Sequence, residues 1–157
     1  MKYVNEALSE QKKKQQLSGA DDKSILYNDL DTESSDIDKE YEINKQVFQK
    51  LDSLIRRDEL YLSADLSRED LVRMAHMNNT RFAKMIKENT GTNLSGYINE
   101  LRLNHAIHLL KEHPEYTLRA IAEASGINSM PTFHSLFKNK TGMTPSEFKK
   151  TQIDMKQ

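Results

Sequence analysis

Two segments of this 157-residue chain share one plan: LSREDLVRMAHMNNTRFAKMIKENTG at residues 66–91 and YTLRAIAEASGINSMPTFHSLFKNKTG at residues 116–142. Each has a short apolar-patterned stretch, a turn, a polar residue suited to capping a helix, and a second stretch that ends in Thr-Gly. The caps are Asn78 and Ser129, and a phenylalanine follows each cap by four residues. A short helix, a tight turn and a second helix form a helix-turn-helix unit, so the repeat predicts two such units.

Start and stop signals divide the sequence around the repeat into further helices. Thr144-Pro145-Ser146-Glu147 reads as a capping box that opens a last helix. Between the two units, an apolar-periodic stretch predicts a long connecting helix over residues 94–113, which Pro114 ends. No alternating strand pattern competes with these helices.

Upstream of the repeat, apolar residues at three- and four-residue steps predict a helix over about residues 43–60, and these are Ile43, Val47, Leu51, Leu54 and Ile55. Residues 1–42 hold few large apolar side chains and many carboxylates, so we expect a largely disordered acidic tail or linker. The predicted fold is all-α. A seven-helix domain spans residues 43–153, with lobe one at 43–92 and lobe two at 117–152.

The formal net charge of −1 does not by itself indicate a nucleic-acid-binding protein. Residues 59–157 carry 13 Lys and Arg against 11 Asp and Glu, so DNA binding would depend on where the basic side chains lie. The chain has no cysteine, no apparent signal peptide and no apolar run of the ~20 residues that span a bilayer. We therefore expect a cytoplasmic protein without membrane contact by this segment, and association with the nucleoid if it binds DNA.

Enzyme and metal sites have little support in the sequence. There is no glycine-rich phosphate loop and no nucleophile elbow. His105 and His108 are three residues apart on a predicted helix, but no third ligand completes a zinc site. We expect neither a metal, a cofactor nor a catalytic residue.

The region from Leu66 to Lys150 resembles the DNA-binding domain of the arabinose-regulator (AraC/XylS) family. Three stretches carry the resemblance: GTNLSGYINELRLNHAIHLL at 91–110, IAEASGI at 121–127 and FKNKTGMTPSEFKK at 137–150. The resemblance implies two helix-turn-helix lobes on a connecting helix, whose second helices enter successive major grooves on one side of double-stranded DNA. It also implies transcription control, usually activation through RNA polymerase.

Members of that family usually add a sensing or dimerising domain, and residues 1–42 are too short and polar to be one. We therefore expect a stand-alone member or the C-terminal piece of a larger sensor-regulator, and the oligomeric state stays open. His76 stands where the family commonly has glycine, and Ile127 replaces the usual aromatic residue. In lobe two, Met130, Pro131 and Ser135 replace the more polar Gln, Ser and Arg.

Two sets of residues would meet DNA; family position places Thr80, Ala83 and Lys84 at base edges, and the others follow from their place on the outward side of each second helix. The residues expected to face base edges are Thr80, Ala83, Lys84, Met130, Pro131, His134 and Ser135. Those expected at phosphates are Asn79, Arg81, Lys87, Ser129, Thr132 and Lys138. We expect lobe one to read sequence and lobe two mainly to hold the DNA backbone, helped by DNA shape.

Two alternatives remain open from the sequence. Arg102 and Arg119 are further candidates for phosphate contacts, and Arg102 could instead tie the connecting helix to a lobe through a carboxylate. The near-neutral charge and the apolar second recognition helix would also suit a helical protein-interaction module without DNA affinity.

Overall fold

The computed structural model describes residues 24–157, with side chains described from residue 35 onward. The described residues divide into two units at Ile43, and the second unit is residues 44–157. Residues 1–23 of the predicted tail lie outside the described residues, so their expected disorder stays a prediction.

The described residues form seven α-helices and one 3₁₀ turn, without a strand. The all-α prediction is confirmed. In chain order the elements are α1 Ser24–Arg57, the 3₁₀ turn Leu60–Leu62, α2 Arg68–Met74, α3 Asn79–Thr90, α4 Leu94–Glu112, α5 Leu118–Ala124, α6 Met130–Thr141 and α7 Pro145–Lys156. Among these helices, none is long and apolar enough to cross a membrane.

The first helix begins earlier than the sequence pattern predicts. α1 starts at Ser24, whereas the apolar periodicity placed the start near residue 43. Residues 24–42 contain neither proline nor glycine, so no residue interrupts the extension of the helix toward its N-terminus. Ile43 is 52% exposed, and the apolar face that packs into the domain is carried by Leu51 and Ile55.

The later helices start where local capping chemistry places them. The Asn78 side chain accepts a hydrogen bond from the backbone N–H of Arg81 at 2.8 Å, and Ser129 accepts one from Thr132. The expected capping box is present at Thr144 with Glu147, and a second one is formed by Ser67 with Asp70. Hydrogen bonds from Ser67 hold the pKa of the Asp70 carboxyl below its ordinary value.

The domain of residues 44–157 has two apolar cores that share one helix. In lobe one, Phe82, Met85 and Ile86 pack with residues of α1, α2 and α4. In lobe two, Phe133 and Phe137 pack with residues of α4 and α5. α4 supplies Tyr97, Ile98 and Leu101 to the first core and Leu103, Ala106 and Leu110 to the second. The connecting helix is therefore a structural part of both lobes.

Candidate nucleic-acid interface

Each lobe presents a second helix with one buried side and one exposed side. α3 buries Phe82, Met85 and Ile86, and α6 buries Phe133 and Phe137. Both helices end at a glycine with positive φ, Gly91 and Gly142, as the repeat predicts. We call α3 and α6 the recognition helices from here on.

Most residues predicted to face DNA bases are exposed on these two helices. Thr80, Ala83 and Lys84 are exposed on α3, and Pro131 and Ser135 are exposed on α6. The Lys84 ammonium lies 3.9 Å from the Glu88 carboxylate, an exposed i,i+4 pair that holds the lysine only weakly. Lys84 therefore keeps its reach toward a ligand.

Two residues predicted to face bases in lobe two are only half-exposed. Met130 packs against the core of lobe two. The His134 ring meets Phe133 edge to face, with 6.2 Å between the ring centroids. Their packing leaves less side chain for a ligand than the sequence suggested.

The residues predicted to meet phosphates differ in their surroundings. Five of the six are exposed, and these are Asn79, Lys87, Ser129, Thr132 and Lys138. The Lys87 ammonium donates to the Gly91 carbonyl at 3.1 Å. Ser129 and Thr132 cooperate in the cap of α6, which takes up the Thr132 N–H, and Pro131 has no N–H. The polar side chains and the positive end of the helix dipole are therefore what the start of α6 could offer a phosphate.

Arg81 is the exception among these phosphate candidates. It is half-buried, and its Nε donates to the Asn44 side-chain oxygen at 2.9 Å. Asn44, on α1, is only 1% exposed. The contact ties the start of α3 to α1, so Arg81 has a structural role that the sequence did not predict.

Arg68 helps to position the recognition helix of lobe one, a role that the sequence did not indicate. From the first residue of α2, its guanidinium donates to the Asn79 carbonyl at 3.2 Å and lies 6.0 Å from the centre of the Phe82 ring. It thus joins the first helix of lobe one to the start of the recognition helix. No local pattern marks Arg68, because its partners lie 11 and more residues further along the chain.

The turns between the paired helices follow one backbone path with different residues. Gly126 in lobe two has φ of +77°, and His76 in lobe one has φ of +52°. A left-handed conformation is ordinary for glycine and costly for a residue with a Cβ atom. The equivalence of the two units therefore extends to the backbone of their turns.

Arg102 ties the connecting helix to lobe one, one of the two roles that the sequence left open. Its guanidinium donates to the Tyr61 and Ser63 carbonyls, and not to a carboxylate. Elsewhere, the described residues hold no group of three or more His, Cys, Asp or Glu that could bind a metal ion.

A family model described as "Helix-turn-helix domain" matches residues 71–151. Among curated relatives, the uncharacterized transcriptional regulatory protein YesN of Bacillus subtilis is 39% identical over 80 residues, which is 50% of this chain and 22% of that protein. The activator RclR of Escherichia coli, described as specific for RCS, is 31% identical over 81 residues, which is 52% of this chain and 28% of RclR. The chain thus spans well under half the length of these relatives.

Solved structures share the arrangement of helices. A transcriptional regulator from Chromobacterium violaceum, described as containing an AraC-type DNA-binding domain, superposes with a TM-score of 0.59 at 27% identity, covering 69% of this chain and 93% of that one. A protein of unknown function from Listeria innocua superposes with a TM-score of 0.58 at 28% identity, covering 66% and 95%. With a helix-turn-helix match over half of its length and the paired units described above, the chain belongs to the AraC family of transcription regulators.

Proposed function

We propose that residues 44–157 bind double-stranded DNA by placing α3 and α6 in successive major grooves. The observation that carries this proposal is the pair of recognition helices, each with an exposed polar side and each packed on the shared helix α4. A B-DNA major groove, about 12 Å wide, admits one such helix.

Lobe one has the side chains suited to reading base sequence. Thr80, Ala83 and Lys84 stand at positions three and four apart, so they share one exposed strip of α3. A lysine ammonium can donate to guanine O6 and N7, and threonine and alanine methyl groups can contact the methyl group of thymine. Lys87, one turn beyond Lys84, is placed to meet a phosphate.

Lobe two has fewer hydrogen-bonding side chains on its exposed strip. Pro131 has none, Met130 is half-buried, and Ser135 is short. The start of α6 offers the positive end of the helix dipole and the exposed hydroxyls of Ser129 and Thr132, which favour a phosphate. We infer that lobe two mainly holds the backbone and responds to DNA shape.

We further propose that the whole protein regulates transcription at the nucleoid, in the cytoplasm, as an activator that contacts RNA polymerase. Support comes from relatives, since RclR is described as a transcriptional activator and YesN as a regulatory protein. The match covers only 22% of YesN and 28% of RclR. A sensing or dimerising part of the whole protein is therefore also proposed by analogy with the family.

Binding-site selection from a random DNA pool, followed by fluorescence anisotropy, tests DNA recognition. We expect binding that weakens steeply with salt, because each neutralised phosphate releases counterions. Lys84→Ala should weaken binding to the selected site by roughly 5- to 150-fold, equivalent to about 1–3 kcal/mol, and change binding to random duplex much less. Lys87→Ala should weaken both about equally.

Lys50→Ala is the matched control, because Lys50 is exposed on α1, outside both helix-turn-helix units. It should bind like the unmodified protein. Equal losses in the Lys84 and Lys50 variants would exclude α3 as the reading surface. Absent or salt-independent binding would reject the proposal and favour a helical module that binds proteins.

A further inference from the structure

We propose that Arg102, the segment Tyr61–Ser63 and Gly126 form an inter-lobe junction that fixes the orientation of α3 relative to α6. The segment belongs to lobe one, Arg102 to the connecting helix, and Gly126 to the turn of lobe two. The consequence for DNA rests on the proposed function, whereas the structural claim can be tested without DNA.

Arg102 provides the polar part of the junction. Its Nε donates to the Tyr61 carbonyl at 2.6 Å and its Nη2 to the Ser63 carbonyl at 2.8 Å. The guanidinium is half-buried, and this burial lowers the pKa of Arg102. The planar fork of an arginine holds two donor nitrogens at a fixed spacing that matches these two carbonyls, whereas a lysine has its donors on one nitrogen.

Gly126 provides the steric part of the junction. A Cβ atom at this position would lie 2.8 Å from the Leu62 carbonyl oxygen and 2.9 Å from that of Tyr61. The turn of lobe two therefore approaches the 3₁₀ turn of lobe one backbone to backbone. Since backbone atoms yield less readily than a flexible side chain, any substitution here would move the two lobes apart.

Two further features hold the segment in place. The Tyr61 ring packs edge to face on His105 of α4, with 6.2 Å between the ring centroids. Glu59, just before the 3₁₀ turn, adopts a left-handed backbone with φ of +51°. This conformation is uncommon for a residue with a side chain and persists where the surroundings impose it.

The junction matters because it lies beside the axis of α4. Each core packs on its own part of α4. Bending or twisting of that helix between Leu101 and Leu103 would therefore rotate one lobe relative to the other. At Gly126 the turn of lobe two lies directly against lobe one, apart from their shared attachment to α4. This packing, with the Arg102 bonds to lobe one, should resist a rotation that one helix alone would permit.

The distance between the recognition helices gives a direct test in the free protein. The chain has no cysteine, so Ala83→Cys and Ser135→Cys place spin labels only on α3 and α6. Electron-electron double resonance should give one narrow distance distribution in the otherwise unchanged chain. With Arg102→Met added, which keeps the unbranched apolar stem but removes the donors, the distribution should broaden or shift. Gly126→Ala should do the same.

Thr117→Ala is the matched control, because it removes the cap of α5 and touches no part of the junction. It should lower stability and leave the distance distribution narrow. If Arg102→Met fails to fold, the folded Arg102→Lys variant decides, since a single nitrogen cannot reproduce the two separate donor nitrogens of the guanidinium. A distribution that stays narrow in every folded junction variant would overturn the proposal.

Binding-site selection gives the functional counterpart. The unmodified protein should select half-sites at one fixed spacing, and the Arg102 variant should accept several spacings. If the unmodified protein selects no DNA at all, the proposed function fails while the distance measurement still decides the junction.

Discussion

At the scale of single residues, the turn of lobe one carries a cost that the turn of lobe two avoids. His76 holds φ of +52°, where the equivalent Gly126 holds +77°. A left-handed backbone costs a residue with a Cβ atom roughly 1–2 kcal/mol, and glycine removes that cost while adding freedom to the unfolded chain. The exposed His76 side chain offers little packing in return.

We expect His76→Gly to stabilise the domain modestly, by up to ~1 kcal/mol, because the relief of strain exceeds the entropy that glycine adds. Urea denaturation followed by circular dichroism measures the change as a higher midpoint with an unchanged slope. His76→Ala is the control, since it removes the imidazole and keeps the strained backbone, and it should give no gain. A gain in the alanine variant would instead assign the effect to the ring.

At the scale of helices, capping residues predicted where most helices start, because a cap and its partner lie three residues apart. Asn78, Ser129 and Thr144 all cap as predicted. α1 is different, because the apolar pattern begins only near residue 43 whereas the helix already runs through residues 24–42. The contact between α1 and α3 was also out of reach, because Asn44 and Arg81 lie 37 residues apart.

We expect Arg81→Ala to destabilise the domain by about 1–3 kcal/mol, because it leaves the buried Asn44 oxygen without this donor. Lys84→Ala, one turn further along the same helix, should change stability by no more than ~0.5 kcal/mol. Thermal unfolding of the two variants makes the comparison. Similar stabilities would show that the Arg81–Asn44 contact contributes nothing in solution.

The different roles of Arg81 and Lys84 determine how DNA-binding assays of α3 variants should be interpreted. A loss of binding in an Arg81 variant mixes lost positioning of the helix with any lost phosphate contact. Lys84 and Lys87, which are exposed, report on DNA contact more directly.

At the scale of the whole molecule, the sequence indicated two lobes and a connecting helix, and it missed what joins the lobes. The repeat and the three family-like stretches are local patterns, so they could be read directly. Arg102 was predicted to meet a phosphate or a carboxylate, and it binds backbone carbonyls about 40 residues away, at 61 and 63. Every residue has a backbone carbonyl, so the amino acids at 61 and 63 could not indicate that these carbonyls accept hydrogen bonds from Arg102.

His105, which packs on Tyr61 of the junction, should make the stability of the domain depend on pH. Burial lowers the pKa of His105 below the 6.5 of an ordinary histidine, the charge of His108 lowers it further, and Glu59 opposes both. The folded state therefore disfavours the proton that the unfolded chain binds. The stabilisation that neutral His105 contributes is complete above about pH 6.5 and is lost as pH falls from there through the folded-state pKa of His105.

We expect the free energy of unfolding to decline as pH falls below 6.5, and His105→Gln to flatten part of that decline. Urea titrations at several pH values between about 5 and 8 measure the slope. His113→Gln, a change outside the junction, should keep the decline. An unchanged slope in the His105 variant would show that its proton does not couple to folding.

Surface connections of proteins usually accept extra residues, because few contacts depend on their length. The connection between α1 and α2 should be an exception. Its Tyr61 and Ser63 carbonyls accept hydrogen bonds from the Arg102 guanidinium, and its Tyr61 and Leu62 carbonyls lie against Gly126. One residue inserted between Glu59 and Ser63 would move those carbonyls out of register with α4. The length of this partly buried connection is thus constrained as tightly as the shape of a buried side chain.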